Sequence, residues 1–158
     1  VHRSNAQRAM ERLLNLRILP IVNENDTVAT HEIRFGDNDR LAAMVAQLVE
    51  ADALVLLSDV ESLYTRPPSE PGAEPIDRVA FADPLTGLEF GSVGIAGVGT
   101  GGAATKVSAA RLAAASGVGV LVTSSELVAE ALSGAEIGTW FEPSPDGRPT
   151  RTIGRLGE

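Results

Sequence analysis

A three-layer α/β/α sandwich around an open, mainly parallel sheet is the fold class that the sequence predicts. Short, continuously apolar runs alternate with segments of helical periodicity, and two long connections fall after apolar runs. Runs apolar at every position fit strands buried on both faces, as in a parallel sheet. Long loops at strand ends of such a sheet are where ligands bind.

The elements follow in order. Arg3 to Leu16 is a predicted helix, with Ala6, Met10, Leu13 and Leu14 at helical spacing and Gln7, Arg8, Glu11 and Arg12 on the other face. Ile18-Leu19-Pro20-Ile21-Val22 is a predicted buried strand, with Pro20 tolerable only where no ladder donor is needed. Leu41, Met44, Val45, Leu48 and Val49 mark an amphipathic helix, and Ala53–Leu57 the next buried strand. Prolines 67, 68, 71 and 75 with Gly72 then break the pattern, which makes that segment an exposed excursion. An Ala-rich helix from about Ala103 to Ser116 leads into a strand at Val118–Val122. A short helix at Glu126–Ser133 and a strand at Gly138–Phe141 complete the series. The tail 143–158, polar and rich in Pro, Gly and Arg, reads as an edge strand or a linker.

Composition narrows the function classes. The 158 residues suffice for one domain, with 44% hydrophobic and 22% charged residues, ordinary globular usage. There is no cysteine, so disulfides and thiolate metal sites are excluded. No apolar run has the length of a membrane span and no signal-peptide pattern opens the chain, so a cytoplasmic address is expected. A net charge of −8 disfavours a nucleic-acid backbone as partner but leaves room for a nucleotide, whose few phosphates can be held locally. Val1 opens directly into helical periodicity, which suggests a fragment.

Two connections hold the candidate chemistry. The acidic loop 23–39 contains Asn23-Glu24-Asn25-Asp26 and ends in Gly36-Asp37-Asn38-Asp39 ahead of a helix. Turn propensity and an N-cap role for Asp39 account for these residues about as well as ligand binding does. A calcium loop does not, because its D-x-[DN]-x-[DN]-G spacing is missing. As a binding loop it suits a zwitterion, with a carboxylate such as Asp26 for an ammonium group and Asn38 or free helix amides for a carboxylate.

The second connection closes with Gly97-Val98-Gly99-Thr100-Gly101-Gly102-Ala103-Ala104-Thr105-Lys106. Its consecutive amides can cradle an anion, and Lys106 in the first helical turn opposes the macrodipole unless a phosphate joins it. A flexible turn followed by a surface lysine is the plain alternative. No Gly-Lys-Ser/Thr occurs, which rules out a Walker A loop. Gly97, Gly99 and Gly102 match G-x-G-x-x-G, but Ser92–Ala96 is a poor strand for a dinucleotide fold.

Together, PIVNENDTVAT (20–30), GDND (36–39), LLSDVESLY (56–64) and GTGGAATK (99–106) resemble the glutamate 5-kinases of the amino acid kinase family. The resemblance implies the amino acid kinase fold without its N-terminal part, with residues 1–142 forming the C-terminal portion of the kinase domain and 53–142 its nucleotide-binding part. It implies ATP- and Mg²⁺-dependent phosphorylation of the side-chain carboxylate of L-glutamate, the first step of proline synthesis. Residue by residue, Asp26 and Asn38 match glutamate-binding positions, and Ser58 and Asp59 a nucleotide pair that is usually Thr-Asp. Thr100, Gly101, Gly102, Ala103, Ala104, Thr105 and Lys106 match the nucleotide loop. Lys106 would stabilise the transferring phosphoryl group and Asp39 would orient the lysines around it. No metal-ligating residue is assigned. Homo-oligomers and inhibition by proline are implied as well, while the charge balance and the lack of a span-length apolar run, read from the residues themselves, give no nucleic-acid or membrane partner as the expectation. The family's first strand, with its phosphate-binding lysine, has no counterpart here, so residues 1–158 alone are expected to be inactive. Another carboxylate kinase of the family and a non-catalytic module binding nucleotide or proline are the alternatives.

Overall fold

The computed structural model describes residues 2–23, 37–86 and 102–147. Helix α1 spans His2–Asn15, α2 Asp37–Leu48, α3 Ala103–Ala114 and α4 Val128–Leu132. Strand β1 is Ala53–Ser58, β2 Leu63–Tyr64, β3 Pro75–Ile76, β4 Arg78–Val79, β5 Gly119–Ser124 and β6 Thr139–Phe141. Four strands form one sheet in the order β1-β5-β6-β4. The β1–β5 and β4–β6 pairs are parallel and β5–β6 is antiparallel, so the sheet is mixed but mainly parallel. β2 and β3 form a small antiparallel hairpin at the base of the proline-rich excursion.

Strand alternation sorts the core into two layers. Leu56, Val120, Val122 and Phe141 pack against Ala43 and Ala46 of α2 and Val107, Ala109, Ala110 and Ala113 of α3. Small alanines let those two helices lie close to the sheet and to each other. Leu121 and Trp140 face the opposite way, onto Ala131 of α4 with Val55 and Ile137 at the margin. Three layers result. Gly119 is fixed by this second face: a side chain there would run into the Trp140 ring. Helices α1, α2 and α3 are each followed by a residue at positive φ, namely Arg17, Glu50 and Gly117. In each, an amide one residue further on bonds back into the last turn, as in Ala51 N–H to Ala46 O at 2.9 Å.

One expected strand is absent. Residues 18–22 form no strand, and Leu19 and Ile21 are 83% and 92% exposed. An apolar run becomes a strand only when a neighbour takes up its backbone groups, and no described segment does so here. The predicted apolar face of α1 is likewise only half-buried at Met10 and Leu13, while Leu14 is exposed. The short β2, β3 and β4 were not expected, being too brief for periodicity to register. Residues 143–147 form no strand, and 148–158 lie outside the described residues.

Candidate functional site

The connections 49–52 and 115–118 are short, so α2 and α3 run antiparallel to the strands they feed, β1 and β5. The N-termini of both helices therefore lie at the C-terminal edge of the parallel pair, the edge where open α/β sheets bind ligands. Gln47 of α2 donates from Nε2 to the Leu112 carbonyl of α3 at 2.7 Å, which ties the two helices farther down their length.

Asp39 and Lys106 meet where the two helices begin. The Lys106 ammonium donates to Asp39 Oδ1 at 3.0 Å and to Oδ2 at 3.1 Å. The side chains are only 10% (Lys106) and 14% (Asp39) exposed, so the pair is largely removed from water. Loss of one partner from such a pair strands a buried charge and costs about 3–5 kcal/mol. Thr105 adds its hydroxyl, 3.0 Å from Asp39 Oδ2 and 2.8 Å from the Gly102 carbonyl. Asp39 is thus not the N-cap of α2: the helix starts at Asp37, and the Asp39 side chain turns across to α3.

Lys106 lies in the first turn of α3, where a cation is electrostatically disfavoured. Asp39 offsets that cost. Among the described residues no side chain caps this helix, whose N-cap is Gly102, and its first amides point toward the C-terminal edge of the sheet. An uncapped N-terminus with a fixed ammonium beside it suits a phosphate. Across the sheet edge, the Ser58 hydroxyl donates to Asp59 Oδ1 at 3.2 Å, and the Ser58 carbonyl accepts from Ser125 N–H at 3.3 Å. Asp59 is exposed and Ser58 half-buried at the end of β1.

Of the sequence candidates, Asp39, Thr105, Lys106 and Gly102 come together, and Ala103 and Ala104 complete that helix turn. Asn38 is exposed in the first turn of α2. Asp26, Thr100 and Gly101 lie outside the described residues. Among the described residues no group of three or more His, Asp or Glu side chains is placed to hold a metal ion. Two polar contacts had no signal in the sequence. One is the bond from Thr105 to Asp39, 66 residues apart. The other is Thr139, whose buried hydroxyl accepts from Leu63 N–H at 2.8 Å and donates to the Ile76 carbonyl at 2.6 Å, joining the β2–β3 hairpin to the sheet.

The model of the amino acid kinase family matches residues 1–124, which takes in both helix N-termini and the strands they feed. The chain belongs to the amino acid kinase family. Within that family it is 73% identical over 142 residues to the glutamate 5-kinase of Clavibacter sepedonicus, a match covering 90% of this chain and 54% of that protein. It is 70% identical over 145 residues to the glutamate 5-kinase of Leifsonia xyli subsp. xyli, covering 92% and 54%. The chain thus spans about half the length of these curated relatives. The carbamate kinase of Giardia lamblia bound to AMP-PNP shares the fold, with a TM-score of 0.61, 20% identity and coverage of 87% of this chain and 49% of that one. No described helix is long and apolar enough to cross a membrane.

Proposed function

We propose that this chain carries the nucleotide-binding part of an ATP-dependent L-glutamate 5-kinase. The observation that carries the proposal is the Lys106 ammonium, held by Asp39 beside the uncapped start of α3. Identity of 73% and 70% to two glutamate 5-kinases supports glutamate as the acceptor.

In the reaction a side-chain carboxylate oxygen of glutamate attacks the γ-phosphorus of ATP. The bond from that phosphorus to the β,γ-bridging oxygen breaks, giving glutamyl 5-phosphate and ADP. Phosphoryl transfer spreads negative charge over the equatorial oxygens, so the protein's task is positioning and electrostatic stabilisation. Gly102, Ala103 and Ala104 offer backbone amides to the phosphates. Lys106 faces the transferring group, and Asp39 sets the direction of its ammonium. Ser58 and Asp59, at the end of β1, contact the nucleotide. Thr100 and Gly101 extend the cradle, while Asp26 and Asn38 bind glutamate. Mg²⁺ bound with the nucleotide would supply further charge neutralisation at the phosphates. Feedback by proline, homo-oligomer formation and a cytoplasmic setting belong to the same proposal.

The test is ADP release by the full-length protein containing this chain, with L-glutamate, L-aspartate, carbamate and N-acetyl-L-glutamate as acceptors. Turnover with glutamate well above the others is expected. ATP binding without turnover on any acceptor would overturn a kinase role, and preference for another acceptor would overturn glutamate.

A further inference from the structure

Thr105 has two donors, and both are used inside the protein. Its N–H donates to the Gly102 carbonyl at 3.0 Å, and its hydroxyl lies within bonding distance of that carbonyl and of Asp39 Oδ2. A hydroxyl has one proton. A threonine in the first turn of a helix commonly bonds back to the N-cap carbonyl, and that habit explains the Gly102 contact alone. It does not explain the approach to a carboxylate delivered by another helix. A hydrogen bond to a charged acceptor is the stronger of the two, so the proton is drawn toward Asp39, while Gly102 keeps the amide.

The Asp39 carboxylate needs such a partner. The terminal torsion of an aspartate is broad and roughly two-fold, so one ammonium does not fix the carboxylate plane. Lys106 bonds both oxygens almost equally, at 3.0 and 3.1 Å, and follows whatever plane the carboxylate adopts. Thr105 contacts Oδ2 alone and breaks that symmetry. We infer that Thr105 is a positioning residue: it ties the end of the glycine-rich loop to the Asp39 carboxylate and so sets the direction of the Lys106 ammonium. It acts through Asp39, a role other than the nucleotide contact that the resemblance implies for it. This rests on the proposed phosphoryl transfer at the same site.

The experiment compares Thr105→Val, Thr105→Ser and wild type in the full-length protein, measuring kcat with glutamate and the Kd for AMP-PNP. Loss of one hydrogen bond to a charged group predicts that Thr105→Val lowers kcat about tenfold. AMP-PNP affinity should stay within about twofold, since no nucleotide contact is removed. Thr105→Ser, which keeps the hydroxyl, should recover most of the rate. Equal losses in kcat and AMP-PNP affinity would make Thr105 a nucleotide ligand and overturn the inference. So would an unchanged kcat in Thr105→Val, or a serine variant as slow as the valine one. If Thr105→Val does not fold, Thr105→Ala takes its place with the same expected loss of kcat and the same overturning results. Failure of the wild type to use glutamate would instead overturn the proposed function.

Discussion

Asp39 is the residue on which the site turns, because it receives Lys106 through both oxygens and Thr105 through one. Asp39→Asn keeps the shape and one acceptor but removes the charge that holds the ammonium. Turnover should fall by about a hundredfold, the usual cost of losing one preorganised electrostatic element, with the KM for glutamate little changed. Asp26→Ala should do the opposite, raising the KM for glutamate while sparing ATP affinity, because its proposed partner is the substrate ammonium. Steady-state kinetics on both variants, with melting temperatures alongside, checks the contrast. Two variants that differ from wild type only in thermal stability would reduce both residues to structural roles.

At the scale of elements, what the sequence disclosed depended on length and on partners. β1 and β5 were legible because five-residue apolar runs, 53–57 and 118–122, have few other destinations between turn signals. Ile18–Val22 has the same pattern and forms no strand, since pairing is a property of the neighbour as much as of the run. Gly117 after α3 could be read from composition, whereas Arg17 and Glu50 occupy the same left-handed position without a compositional mark. The acidic and glycine-rich segments were visible as separate motifs. Their meeting was not, because the Asp39–Lys106 contact joins residues 67 apart; only a resemblance to a known family linked them beforehand. The packing of Trp140 over Gly119 yields a prediction for these elements. Gly119→Val fits the β-region backbone but forces the ring to move, so overpacking should cost about 1–3 kcal/mol in a denaturant melt. A variant as stable as wild type would mean that Trp140 is not seated as described.

The whole molecule presents an apolar flank in Leu14, Leu16, Ile18, Leu19, Ile21 and Val22, all exposed. Contiguous apolar surface promotes association. Residues 1–158 alone should self-associate in sedimentation velocity, and Leu19→Lys with Ile21→Lys should reduce the associated fraction. An unchanged distribution would show that this flank does not drive association. The same molecule gathers two helix N-termini, a fixed ammonium and the ends of two parallel strands at one edge, where phosphoryl transfer is proposed to occur. The most direct test is turnover of Lys106→Met in the full-length protein at saturating ATP and glutamate, on material shown to be folded by circular dichroism. Methionine keeps the stem and removes the charge. The predicted result is a fall in kcat of about a hundredfold with AMP-PNP affinity largely retained. Near-normal turnover in that variant would contradict it.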